Sequence, residues 1–166
     1  MKSLGAGLLL LLLASGGCSG DLSLAPSPQP SPLAGSHNTP ACQIFDQTAV
    51  QAATGVPMGV GTQVPGPGEA DVCQFFATDG TASFAIFIYR GSNPDAAERS
   101  YQALTNPHWD PVPGLGDEAK ANSSPGSGDI AVRQGSFVVD IQISSSKLTP
   151  TLQNLETMAV EAIGRA

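Results

Sequence analysis

Apolar and polar positions divide this chain into three stretches. Residues 4–14 are continuously apolar or small, with six consecutive leucines at 8–13. Residues 19–40 (SGDLSLAPSPQPSPLAGSHNTP) show neither a helical nor a strand period. From residue 41 onward periodic patterns return. Asp46 suits a helix N-cap, Phe45 before it can staple onto Val50, and Gly55 supplies a stop, so a short helix is expected between them. Residues 56–70 carry four glycines with Pro57, Pro65 and Pro67, and are expected to be loop. Residues 72–77 and 81–90 read as strands around an Asp79-Gly80 turn. Phe84, Ile86 and Ile88 share one face of the second strand and Ala85, Phe87 and Tyr89 the other, which predicts a central strand covered on both sides. Asn93-Pro94 caps and opens a second helix with Ala97, Tyr101 and Leu104 at helical spacing. A second hairpin spans 129–134 and 136–144 and turns near Gly135. Val139, Ile141 and Ile143 line its apolar face; Asp140, Gln142 and Ser144 line a wetter one. A last helix is expected to open at Thr149-Pro150, with Leu152, Leu155, Ala159, Ala162 and Ile163 as its buried stripe.

The order helix, two strands, helix, two or three strands, helix predicts an α+β fold over residues 41–166. It is an antiparallel sheet of four to five strands with flanking helices, a two-layer or three-layer sandwich with one disulfide. Each half runs hairpin then helix, a faint two-fold echo.

The N-terminal run is too short to span a bilayer, which takes about 20 apolar residues. With Lys2 before it and the small residues 14–17 after it, residues 1–17 read as a secretory signal peptide. Two processing routes compete. An ordinary signal peptidase would cut after Gly16, whereas the stretch ending at Cys18 also resembles a bacterial lipobox, with Ser15 where Leu is commonest. Cysteine arithmetic favours lipidation. An exported chain with three cysteines leaves one unpaired after a single disulfide, and a thioether at Cys18 consumes the odd sulfur. Residues 18–40 then form a lipidated cysteine and a disordered Pro/Ser-rich tether, reaching at most about 70 Å at roughly 3.1 Å per residue. Cys42 and Cys73 remain to pair. A metal site is not expected there, since the two lie far apart without partner ligands.

Several features occur together: the lipobox-like start, the Pro/Ser tether, Cys42 opening a short helix, Cys73 within Val-Cys-Gln-Phe, the run Gly114-Leu115-Gly116-Asp117-Glu118-Ala119, and a closing Ala-rich helix. In this order the chain resembles the actinobacterial lipoproteins grouped under domain of unknown function three-five-five-eight. The resemblance covers nearly the whole chain and departs at Phe75, where Trp is expected. It implies location and fold, and no activity.

Charge narrows the partners. The chain is formally −7; loss of residues 1–17 removes Lys2 and leaves six basic and fourteen acidic groups, or −8. An acidic surface without a Lys/Arg cluster disfavours nucleic acid and attachment to anionic lipid through basic patches. Membrane attachment is therefore expected through the covalent lipid at Cys18, on the extracytoplasmic face of the cell membrane. Few residues suggest chemistry. Asp117 and Glu118 are adjacent, and adjacent strand residues point to opposite faces, so they read as parts of a turn: Gly114 and Gly116 permit it and Asp117 caps backbone N–H groups. His108, Trp109 and Asp110 lie in a proline-flanked loop, where Trp109 is either a contact for a ligand or partner or a lid over the core. No nucleophile elbow, HExxH or phosphate loop is present. The expected function is a monomeric, non-enzymatic binding or accessory module of the cell envelope without cofactor or metal. Its ligand would be a lipid, glycan, peptide or protein. A structural or partner-stabilising role is the alternative, and an uncharacterised hydrolase a distant one.

Overall fold

The computed structural model describes residues 38–147 and 149–166. The signal peptide expected at 1–17, the lipid attachment expected at Cys18 and nearly all of the tether expected at 18–40 lie outside the described residues.

The domain is α+β, built on one seven-stranded antiparallel sheet with four helices. In chain order the elements are α1 (Ala41–Ile44), α2 (Gln47–Thr54), β1 (Thr62–Pro65), β2 (Asp71–Phe76), β3 (Ala82–Arg90), α3 (Pro94–Leu104), β4 (Asp110–Pro111), β5 (Glu118–Ser124), β6 (Ser127–Gln134), β7 (Phe137–Ser145) and α4 (Leu152–Arg165). Across the sheet the strands run β1-β2-β3-β7-β6-β5-β4. Two meanders thus meet at their last strands, β3 and β7, which pair over nine positions from Ala82↔Ser145 to Arg90↔Phe137.

Seven strands exceed the expected four to five, and the surplus is at the edges. β1 lies inside the segment read as loop, and β4 is a two-residue strand inside the proline-flanked loop. Both carry proline (Pro65 and Pro111), which an edge strand tolerates because one side of it needs no ladder N–H. The proline and glycine that hid these strands from a periodicity reading are compatible with an edge position alone.

The hydrophobic logic of the interior strands is as the alternation requires. Phe84, Ile86 and Ile88 of β3 pair with Ile143, Ile141 and Val139 of β7, all essentially inaccessible, and Ile130 and Val132 of β6 continue the layer. α1, α2 and α4 cover this face through Ile44, Phe45, Val50, Leu155 and Ala159. Phe45 and Phe75 both meet Phe84 edge-on, at centroid distances of 5.6 and 5.7 Å. The Cys42–Cys73 disulfide ties α1 to β2, with Cα atoms 4.9 Å apart.

Local capping follows the sequence at α2 and α3. Asp46 Oδ1 accepts from the Ala49 N–H at 2.7 Å and Gly55 closes the helix at φ 68°; Asn93 Oδ1 accepts from the Ala96 N–H at 2.9 Å. α4 begins two residues later than expected. Thr151, not Thr149, is the N-cap, accepting from the Asn154 N–H. The shift turns Leu152 outward, 39% exposed, and buries Met158 instead.

α3 carries the chain from β3 to the far edge, over the opposite face of the sheet. There Ala97 and Tyr101 rest on Ala131 of β6 and Val138 of β7. The strand arrangement repeats between the halves, but α3 and α4 cover opposite faces, which breaks the two-fold echo.

Candidate functional site

α3 covers one end of its face and leaves the other open, and the accessibility of β7 records the boundary. From Phe137 to Ile141 every residue is buried; from Gln142 onward burial alternates. Asp140 lies on the covered side of that boundary, which corrects the expectation that it shares a wet face with Gln142 and Ser144. Only 1% of Asp140 is exposed. Likewise β3 is covered fully on its Phe84 face, while Phe87 and Tyr89 on the other are half-buried and stacked on each other at 6.4 Å.

The register specifies which side chains share the open region. Asn122 on β5 faces Asp129 on β6, Asp129 faces Gln142 on β7, Gln142 faces Ala85 on β3, and Ala85 faces Gln74 on β2. The next row outward holds Ser127, Ser144, Ser83 and Phe76. A shallow cavity of about 210 Å³ sits over these rows, with Phe76, Phe87, Gln74, Gln142 and Asp129 in its lining. Phe76 is 58% exposed, unusual for an aromatic ring on a strand.

Asp140 adjoins this cavity beneath the edge of α3. It pairs across the strands with Phe87 and Ala131, and its Oδ2 accepts from Gln142 Nε2 at 2.9 Å. Its Oδ1 is buried without a hydrogen-bond partner. Burial pushes the carboxyl up to about 7; the Gln142 bond opposes the rise and the nearby Asp129 charge adds to it. Asp129 is itself raised, again by burial, with the Asn122 hydrogen bond opposing. An unsatisfied buried acceptor costs about 1–3 kcal/mol, so nothing in the packing of the fold accounts for an acid here. Periodicity places Asp140 on this face, but its burial comes from α3, some 40 residues earlier in sequence, and no local signal encodes that.

A second, larger groove of about 540 Å³ runs between α3 and the 67–69 loop. Ala96, Ala103 and Leu104 form its helical wall and Tyr89 contributes from the sheet.

The loop residues singled out from sequence lie elsewhere. Trp109 is half-buried against the Ala97, Tyr101, Ala131 and Val138 cluster and lines neither concavity. It is a lid over the small core beneath α3. His108 is exposed; its backbone N–H donates to Asn106 Oδ1, and its imidazole has no hydrogen-bond partner among the described residues. Asp110 is exposed in β4, opposite Ala121. The three do not converge on a serine or on one another.

The Gly114–Asp117 segment is a structural turn. Gly114 and Gly116 have φ of 81° and 61°. Asp117 Oδ2 accepts from the Gly135 N–H at 2.7 Å and lies 3.3 Å from Arg133 Nη1. Arg133 also meets Glu98 of α3 at 2.8 Å and Glu118 at 3.7 Å. This arginine therefore joins the turn, the β6–β7 hairpin and α3 through three carboxylates. Among the described residues no group of three or more His, Cys, Asp or Glu is placed to hold a metal ion, and no helix is long and apolar enough to cross a membrane. No family model matches the chain, and a search of curated proteins finds no significant match.

Proposed function

We propose that this chain is a lipid-anchored extracytoplasmic module of the cell envelope, held by Cys18, that acts by binding rather than by catalysis, with the open half of the α3 face as its contact surface. The observation that carries the reading is the half-covered sheet. Aromatic rings, amides, hydroxyls and the Asp129 carboxylate are grouped around one cavity beside the buried Asp140, whose Oδ1 has no hydrogen-bond partner. Binding sites characteristically combine a concave apolar surface with a few placed polar groups. The lipid anchor rests on the odd cysteine, on the short leucine run before it, and on the resemblance to the actinobacterial lipoproteins.

Two measurements test this. Mass spectrometry of the exported protein should find Cys18 acylated; an unmodified Cys18 overturns the anchor. Mild-detergent purification from membranes, with lipid and protein analysis of the eluate, should recover a component that is lost with Phe87→Ala. Recovery unchanged by Phe87→Ala and by Gln74→Ala overturns the contact surface.

A further inference from the structure

We infer that the open half of the α3 face takes a small organic cation, an ammonium group on an apolar body, its charge held by Asp129 and the Gln142–Asp140 pair and its body laid on Phe87 and Phe76. This deepens the reading of that face as the contact surface and rests on it.

The placement is set by the ladder. Asp129 stands directly opposite Gln142, and Asp140 is two residues from Gln142 on the same strand. Directly opposed side chains have Cβ atoms about 4.5–5.5 Å apart and diagonal ones about 7–8 Å. One ammonium group beside Asp129 therefore also meets the Gln142 side chain, which lines the cavity and is hydrogen-bonded to the buried Asp140 carboxyl beneath it. Phe87, directly opposite Asp140 on the other side, and Phe76 at the outer end of the cavity supply flat apolar surface, and a cation beside an aromatic face is further attracted by the ring.

Three observations favour a cation over a neutral or anionic ligand. The cavity lining contains no lysine, arginine or histidine. The one basic residue of neighbouring strands on this stretch of the face is Lys120 of β5, separated from Asp140 by Ala131. Arg133 of β6 is already engaged by Glu98, Asp117 and Glu118. Finally, the Asp140 carboxyl lies buried beneath Gln142, outside the lining, and its charge favours a cation in the cavity above it. The other titratable groups turned toward this region are Tyr89 on β3 and Tyr101 and Glu98 on α3. Tyr89 is raised by burial and by the Asp140 charge, and Tyr101 is pushed up to about 12 by burial, so both are neutral near pH 7.

The same geometry couples binding to protons. Below pH 7 Asp140 is protonated and its charge no longer attracts a cation in the cavity above it, so affinity rises with pH.

The test uses the exported protein and 2-phenylethylamine, which stays charged from pH 5.5 to 8, against 2-phenylethanol and 3-phenylpropionate. Amide chemical shifts and calorimetry are the readouts. The amine is expected to shift the backbone amides of Gln74, Phe87, Asp129 and Gln142, to bind about tenfold more tightly at pH 8 than at pH 5.5, and to lose at least tenfold in affinity with Asp129→Asn. Asp140→Asn should remove the pH dependence. Equal binding of the alcohol, shifts confined to other surfaces, or no binding of the amine each overturn the inference, and the ligand comparison needs no variant to fold. If the amine fails while the membrane-derived component still depends on Phe87, the cation is refuted and the contact surface stands. If both fail, the surface itself is refuted.

Discussion

Replacing Asp140 with Asn should change how stability depends on pH more than it changes stability itself. In the unfolded chain the carboxyl ionises near its ordinary value of 3.8, whereas in the fold burial holds it up to about 7. Between those values the folded state carries a proton that the unfolded state has released, so stability falls as pH rises through the window and levels off above about 7. At about 1.36 kcal/mol per unit, the rise corresponds to about 4 kcal/mol by pH 8, a large share of the 5–15 kcal/mol typical of a domain. The Asn carbonyl keeps an acceptor for Gln142 Nε2 and its amide cannot ionise. Urea denaturation at half-unit steps from pH 4 to 8 is the assay. The wild-type profile should decline by roughly 1.4 kcal/mol per pH unit relative to the variant up to about pH 7. A constant offset between the two changes nothing in the argument. Parallel profiles, or a wild type that gains on the variant with rising pH, would refute it.

The remaining predictions concern the frame around that site. Replacing Cys42 and Cys73 together with Ala opens a loop of about 30 residues and should lower stability by about 3–4 kcal/mol in denaturant titrations; a loss below 1 kcal/mol would mean the bridge constrains little. Gly114 and Gly116 both have positive φ, yet a Cβ at Gly114 meets open space, while one at Gly116 would lie 2.5 Å from the Arg133 carbonyl oxygen. Gly114→Ala should therefore cost about 1 kcal/mol and Gly116→Ala about 3 kcal/mol or more, measured by chemical denaturation, and equal costs would contradict the packing. Trp109→Ala removes the lid over Tyr101 and Ala131 and should destabilise by about 2–3 kcal/mol while leaving ligand contact at the cavity intact; a stable variant with lost binding would return Trp109 to the site.

Where structure is decided within a few residues, the chain could be read directly. Asp46 and Gly55 bracket α2, Asn93 caps α3, and Asp79-Gly80 and Gly135 turn the two hairpins, because each cap or turn is a local hydrogen-bond requirement met by a neighbouring residue. The Cys42–Cys73 disulfide followed from counting three sulfurs in a chain whose start reads as a secretory signal. What could not be read depends on distant partners. β1 and β4 exist as strands only because β2 and β5 offer ladders to them. Asp140 belongs to a face that alternation identifies, but α3 decides whether that face is wet. Asp117 was legible as a turn residue, while its bonds to Gly135 and Arg133 join segments 16 and 18 residues away. The Trp109 loop drew attention as a loop aromatic, yet the cavity formed on a strand surface whose residues look ordinary one by one.

The uneven dressing of the two sheet faces has a dynamic consequence. Three helices share the large core, whereas α3 is the sole helix among the described residues on its side, seated on a small cluster around Ala131 and Val138 and joined to the sheet by the Glu98–Arg133 ion pair. Elements with few buried neighbours open below the global unfolding energy. The amides of α3 should therefore exchange with solvent deuterium well before those of β3 and β7. Each such excursion hydrates the Asp140 carboxyl, so raising the pH from about 4 toward 7, which ionises it in the open form first, should quicken that exchange beyond the ordinary effect of hydroxide, with no further gain above about 7.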